Sequence, residues 1–292
     1  MKYKPITVLM VVKNGLPFLA DAVNSILAQS YTDFYLLIVD DHSTDASVEY
    51  LKSISDGRLY VMKNRGNGIS QALNTGLNSA ESKYCAIMDA DDISHPLRIE
   101  KQFSFLEENP DYVLTGTSLR YIGSDISSRS WDVDLPSEHY LLANALAKGF
   151  YVISHPTIMV RTSAMKVING YNNDLKYNID LDLYLRLIEH GRFTNLDGIR
   201  TSVRLHENSF THLNLQPIVK QNYLYSRKKE QNYNNADKLI ITLKYYSAFN
   251  YRKGLLKFLS GHWITWSWNL FLAALFDMPR AFFHLKNKYH IK

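Results

Sequence analysis

The sequence predicts an α/β protein built on an open, mostly parallel sheet, and three observations predict it. Apolar runs of strand length alternate with segments of helical period through the first hundred residues. The first run, Ile6 to Val12 ("ITVLMVV"), is nearly continuous, as expected of a strand buried on both faces of a parallel sheet. The apolar runs also end in polar tips: Val12-Lys13-Asn14, Asp40-Asp41 and Asp89-Ala90-Asp91. Open α/β sheets bind ligands beyond those ends, so the tips predict a site.

Each element follows in order. After the first strand, "NGLPFLADAVNSILAQS" repeats Leu19, Val23, Ile26 and Leu27 at helical spacing. "YLLIVDD" is a second strand closed by the polar turn "HSTD", where Ser43, Thr44 or Asp45 suits the cap of the helix "ASVEYLKSI". "RLYVMKN" reads as a strand, "ISQALNTGLNSA" as a helix and "YCAIMDADD" as the fourth strand. Beyond about residue 110 the rhythm is less regular: "YVLTGTSLRYIG" and "TIMVRTS" read as strands, and "DLDLYLRLIEHG" as a helix ending at Gly191. From Gln216 onward the chain reads as helical, Tyr-rich and basic.

With 292 residues, 46% hydrophobic and 21% charged, the chain has material for a large core, which excludes general disorder. A net charge of +5 suits an anionic partner and leaves nucleic acid, nucleotide and lipid surface open. The single cysteine, Cys85, excludes an intrachain disulfide and a cysteine-cluster zinc site, and its apolar surroundings make it a core residue. "MKYKPITVLM" runs straight into a strand without a long apolar leader, so a cytoplasmic enzyme is expected.

A dinucleotide site needs a glycine-rich turn after the first strand, and "KNGLPFL" offers one glycine; a loop ending Gly-Lys-Ser/Thr is also missing. Phosphates must then be held by other means, and a divalent cation on carboxylates is the natural one. This assigns Asp91, with Asp89, to Mg2+ or Mn2+. The competing reading is a solvated turn whose aspartate caps the next helix, "HPLRIEKQFSFLEEN". In "VDDHSTD", Asp40 or Asp41 faces a ribose or base edge, while Asp45 is structural.

In their order these motifs resemble family 2 glycosyltransferases of the GT-A fold type. "ITVLMVVKNGLPFLADAVNSILAQSYTDFYLLIVDDHSTDAS" is similar to the family's opening, "GNGISQALNTGL" to its next helix and "MDADDISHPLRI" to its Asp-x-Asp segment. "SHPTIMVRTS" and "NIDLDLYLRLIEHG" resemble the acceptor-side segments, and "RLHENSFT" the loop closing the catalytic domain. The resemblance runs from about residue 6 to 212 and implies a GT-A catalytic domain over 1–212. Within it, 1–110 bind the nucleotide sugar and 111–212 the acceptor, and a helical extension follows over 213–292. It places Asp41, with Asp40 beside it, on the nucleotide base, and Val11 and Asn14 in the same pocket. Asp89 and Ala90 fall where the family approaches ribose and metal, Asp91 where the metal is bound, and His206 or Arg204 where a loop reaches the diphosphate. Asp180 matches the general base of inverting members; the family's usual Glu-Asp is here Ile179-Asp180. His155 resembles a position near the acceptor, and Asp182 is better explained as a helix cap or an i,i+4 partner of Arg186.

The resemblance thus implies inverting transfer of a sugar from a nucleoside-diphosphate donor, a UDP-sugar, to a hydroxyl of a surface glycan on a lipid diphosphate carrier. Nucleic acid is not an expected partner. No "Gln-x-x-Arg-Trp" signature is visible, which favours transfer of single sugars. A phosphotransferase with Asp89 as nucleophile and a non-catalytic sugar-nucleotide binder are the alternatives. Finally, Phe258 to Phe276 carries no charged side chain, contains Trp263, Trp266 and Trp268, and has basic residues on both flanks. That pattern predicts peripheral attachment at the inner face of the membrane.

Overall fold

The computed structural model describes residues 3–125, 130–147 and 149–214. Contacts group the chain into two compact units, Met1–Tyr121 with Trp131–Arg204, and Ile122–Ser130 with Leu205–Lys292.

The first unit opens with the predicted alternation: β1 (Ile6–Val12), α1 (Leu19–Leu27), β2 (Phe34–Asp40), α2 (Ser47–Ser53), β3 (Leu59–Lys63), α3 (Ile69–Ser79) and β4 (Tyr84–Asp89). These four strands pair in parallel in the order β3-β2-β1-β4. The chain continues through β5 (Ile93–Ser94), α4 (Arg98–Glu108), β6 (Tyr112–Ile122), β7 (Ser130–Val133) and α5 (His139–Ala147). A 3-10 turn (His155–Thr157), β8 (Met159–Arg161), α6 (Thr162–Val167), α7 (Ile179–Leu187) and β9 (Arg192–Arg204) complete the unit. β8 lies antiparallel to both β4 and β6, and β9 beyond β6 carries β5 on its far side.

Strand alternation sorts the core into two faces. Leu9, Val39, Cys85 and Ile87 pack with Leu73 and Leu77 of α3 and with Leu181, Tyr184 and Leu187 of α7. Val8, Met10, Leu36, Ile38 and Met88 pack with Val23 and Ile26 of α1, Leu51 of α2 and Ile99 and Leu106 of α4. α3 approaches the sheet closely at Gly76, where a Cβ would collide with the Leu9 side chain and lie 3.0 Å from Val39 Cγ2. Cys85 is in the core, as expected, and burial pushes its thiol up to about 12.

Buried polar side chains fasten the layers. Gln29, just past α1, donates to Ser94 Oγ at 3.1 Å and to the His95 carbonyl at 2.8 Å, and accepts from the Ile99 N–H at 3.0 Å. Arg161 donates to the carbonyls of Tyr112, Leu106 and Asn109 at 2.7–3.1 Å. The segment "TIMVRTS" is strand only over Met159–Arg161, because the turn at Pro156 precedes it and α6 begins at Thr162. In the second unit the Leu205 N–H donates to the Ile122 carbonyl at 2.9 Å, and α8 spans Phe210–Leu213. Among the described residues no helix is long and apolar enough to cross a membrane. The segment 258–276 lies outside them.

Candidate active site

Sheet register sets the first part of the site. Val12 pairs with Asp40 and Val11 with Asp89, so both acidic strand ends flank β1 on one edge, about 10 Å apart. Val11 is the half-exposed residue of an otherwise buried strand. Alternation then separates Asp40 from Asp41. The Asp40 carboxylate turns to the Ser43 N–H at 3.1 Å. Asp41, on the other face, meets the start of α3. Its buried carboxylate accepts from the Gly68 N–H at 3.1 and 3.2 Å and from Asn64 Nδ2 at 2.6 Å, with Lys13 Nζ 3.9 Å away. Gly68 has φ +95°, a conformation that glycine adopts without strain, and this presents its N–H to the carboxylate.

Asn14 organises the neighbouring turn. It sits at φ 55° and donates its backbone N–H to Ser43 Oγ at 2.9 Å. Its Oδ1 accepts from the N–H groups of Thr44 at 2.7 Å and Asp45 at 3.3 Å. Asp45 in turn accepts from the Ser47 N–H at 3.0 Å and closes the turn before α2; the cap position itself falls on Ala46, one residue beyond the expected Ser43, Thr44 or Asp45, and carries no side-chain bond.

The acidic tip is the second part. Among the described residues, Asp89, Asp91 and Asp92 place ligand oxygens within 4.8 Å of one another. Burial, and then the charges of Asp91 and Asp180, push the Asp89 carboxyl up to about 7, against the pull of Arg98. Burial raises Asp92 as well. Asp92 Oδ1 accepts the Arg204 N–H at 2.8 Å, while its buried Oδ2 has no hydrogen-bond partner. The competing reading of this turn, an aspartate capping the next helix, does not hold: α4 starts at Arg98 with no side-chain cap. Crowded hard oxygens with an orphaned acceptor fit a divalent cation such as Mg2+ or Mn2+.

Two arginines support this tip. Arg98 is fully buried and donates to the carbonyls of Ile87 at 2.7 Å and Ile158 at 3.1 Å. Arg204 donates from Nε to the Asp91 carbonyl at 2.9 Å, pairs with Asp21 at 3.0 Å and stacks 4.5 Å from the Phe18 ring centre. These contacts tie it to the acidic turn and to α1. Arg98 was not singled out by the sequence reading. Its signal was available: Ile99, Gln102 and Leu106 form a buried stripe, and Arg98 sits beside it in the first turn.

The third part is Asp180. The helix begins earlier than the sequence suggested, so Asp180 lies in the first turn of α7 and Asn178 is its cap. Ile179 turns into the core at 8% exposure. Asp182 bonds Arg186 at 2.7 and 2.9 Å, the expected i,i+4 pair. α7 covers the sheet face towards which strand parity directs Asp89, and the Asp180 charge acts on Asp89. Tyr171 and Tyr184, both buried, also feel Asp180 and Asp89, and His155 lies 2.8 Å from the Tyr171 hydroxyl. The fold therefore brings Val11, Asp89, Ala90, Asp91 and Asp180 to one end of the sheet, with Asn14, Asp40 and Asp41 along the same edge. His206 belongs to the second unit, where its carbonyl accepts the Ser209 N–H at 3.1 Å.

Comparison with known proteins identifies the family and the fold. The family model described as glycosyl transferase family 2 matches residues 7–168. EpsE of Bacillus subtilis, classed by name with the glycosyltransferases, is 34% identical over 213 residues, covering 70% of this chain and 74% of its own. The O-antigen biosynthesis glycosyltransferase WbnJ of Escherichia coli is 28% identical over 210 residues, covering 70% and 81%. Among solved structures, S. aureus TarS 1–349 in complex with UDP-GlcNAc superposes with a TM-score of 0.64 at 17% identity, covering 94% of this chain and 82% of that one. The mannosyltransferase PcManGT from Pyrobaculum calidifontis, in complex with GDP-Man and Mn2+, gives 0.60 at 15% identity, covering 99% and 81%. At such identities the structural likeness is one of fold, and it is the GT-A arrangement expected from the sequence. The chain belongs to glycosyl transferase family 2.

Proposed function

We propose that this protein is an inverting, metal-dependent glycosyltransferase. It moves a hexosyl or N-acetylhexosaminyl unit from a nucleoside-diphosphate sugar, a UDP-sugar, to a hydroxyl of a surface glycan. The observation that carries this is the electrostatic coupling of Asp180, on α7, to Asp89 at the end of β4. With α7 on the sheet face towards which Asp89 points, it supports a base candidate facing a cation-binding tip. The UDP-GlcNAc bound by TarS supports the donor class, and the part of WbnJ in O-antigen biosynthesis supports a surface-glycan acceptor, which in this reading is carried on a lipid diphosphate.

In this reading Asp180 takes the proton of the acceptor hydroxyl as its oxygen attacks the anomeric carbon. The bond from that carbon to the diphosphate breaks, and its electron pair leaves on the phosphate. Asp91 and Asp89 would hold Mn2+ or Mg2+, which when bound neutralises charge on the departing diphosphate. Asp41, Asp40, Val11 and Asn14 shape the base and ribose end, and Ala90 lets the ribose approach β4. The aromatic, basic region over 213–292 attaches the protein peripherally to the cytoplasmic face of the membrane, where a lipid-linked acceptor resides.

The test is nucleoside diphosphate release by the full-length protein from UDP-GlcNAc, UDP-glucose, UDP-galactose and GDP-mannose, with and without Mn2+. Release should require the metal and fall by roughly 10²–10⁴-fold in Asp180→Asn, the range of general-base catalysis. Donor-induced thermal stabilisation should persist in that variant, because binding does not need the base. Unchanged release in Asp180→Asn would remove the proposed base. Donor binding with no release in either protein would favour a non-catalytic binder.

A further inference from the structure

The helix that carries Asp180 starts from a residue in the left-handed region. Asn178, the cap of α7, has φ 57° and ψ 31°, and its carbonyl accepts the Asp182 N–H at 3.1 Å, the first helical hydrogen bond. First turns are where helices open, since their N–H groups lack intrahelical partners. Asp180 lies in that turn, and its Oδ1 accepts the N–H of the next residue, Leu181, at 2.9 Å.

Support from elsewhere reaches Asn178. The Tyr151 hydroxyl is 2.6 Å from Asn178 Oδ1, and because that oxygen only accepts, the tyrosine donates. The same hydroxyl is 3.5 Å from Asp180 Oδ1, too long for a strong bond. The difference matters chemically. A hydroxyl donating directly to the carboxylate would favour its charged form and weaken it as a base. Donation to Asn178 fixes the helix start without that penalty. Tyr151 is itself anchored, since the adjacent Val152 carbonyl accepts from Asn195 Nδ2 at 2.8 Å. Asn195 is a buried residue of β9 that also grips the Pro136 carbonyl at 2.8 Å. A continuous strap thus runs from the sheet, through Asn195 and Tyr151, to the cap of α7.

We propose that Tyr151 is a positioning residue for Asp180: by bonding the Asn178 side chain it holds the first turn of α7 and keeps the carboxylate beside the acidic tip. This deepens the reading of Asp180 as the base and rests on it.

Four full-length proteins test it: wild type, Tyr151→Phe, Asn178→Gly and the double variant. Glycine retains the left-handed conformation, so Asn178→Gly removes the side chain alone. With whichever of the four donors turns over, Tyr151→Phe should lower kcat by roughly three- to tenfold, the range for one lost hydrogen bond, and leave donor KM unchanged. Hydrogen exchange at the Leu181 and Asp182 amides should accelerate, while amides of β1 and β2 keep their protection. The double variant should be no worse than either single one, because both break the same contact. Additive losses, unchanged exchange in the first turn, or a change in donor KM alone would each overturn the proposal. Exchange is read without turnover, so an intact Asp180→Asn enzyme would sink the base assignment while leaving the strap to be decided by its own measurement.

Discussion

Carboxylates crowded side by side oppose one another's ionisation, and the tip formed by half-buried Asp89 and Asp91 with buried Asp92 shows how a protein tolerates that. Asp92 is relieved by the Arg204 N–H, Arg98 places a buried guanidinium on the carbonyl two residues before Asp89, and Asp89 itself is driven up to about 7. These acidic positions were legible because acid at the end of an apolar strand has few structural uses. Asn14 was less legible, because a turn-forming asparagine and a ligand-facing one look alike until the partners Thr44 and Asp45 are seen. His155 is a half-buried residue whose desolvation has a consequence that can be measured. Burial holds its imidazole down at about 4, against an ordinary value of 6.5. Between those values the unfolded chain binds the proton and the folded one does not, so stability is complete above pH 6.5 and is lost on acidification towards pH 4. Denaturant unfolding at pH 7.5 and pH 5 should show wild type losing about 2 kcal/mol more than His155→Gln, whose side chain does not titrate. Parallel pH dependence in the two proteins would mean that the ring is protonated as readily folded as unfolded.

At the scale of elements, the first half of the fold was legible and much of the second was not. β1, β2 and β4 announce themselves because strands covered on both faces must be apolar nearly throughout. β9, with thirteen residues, was missed: "RFTNLDGIRTSVR" mixes buried and exposed positions without a period, since it passes from the core to the edge where β5 joins it. The start of α7 was misplaced because Asn178 caps it through a left-handed backbone, which composition does not reveal. The close seat of α3 on the sheet depends on Gly76, and here two effects compete. Alanine in a helix gains about 1 kcal/mol over glycine. The added Cβ, however, collides with Leu9, which is fully buried, and overpacking costs about 1–3 kcal/mol. Crowding should win, so Gly76→Ala should lower Tm by a few degrees. Gly57→Ala, whose Cβ meets nothing within 4 Å, serves as the control and should leave Tm nearly unchanged. A stabilised Gly76→Ala protein would mean that α3 can move away from the sheet without loss.

For the whole molecule, the proposed peripheral attachment makes a prediction from sequence and charge. Net charge is +5, and the uncharged stretch Phe258–Phe276 is flanked by Arg252, Lys253 and Lys257 on one side and Arg280, Lys286, Lys288 and Lys292 on the other. A spanning segment sets positive flanks mainly on one side of the bilayer, so positive charge at both ends is the sequence pattern from which peripheral attachment is expected. Each lysine or arginine near an anionic surface contributes about 1 kcal/mol, an attraction that salt screens within about 10 Å at 0.1 M. The full-length protein should therefore sediment with vesicles containing phosphatidylglycerol and much less with pure phosphatidylcholine. Binding should weaken from 0.1 to 0.5 M salt without vanishing, because buried aromatic area is not screened. Reversing Lys286 and Lys288 to Glu should lower vesicle binding while leaving donor hydrolysis unchanged, since that chemistry is placed at the sheet edge. Protein that stays in the supernatant with both vesicle types would separate the catalytic reading from the membrane one, leaving a glycosyltransferase whose acceptor must come to it through solution.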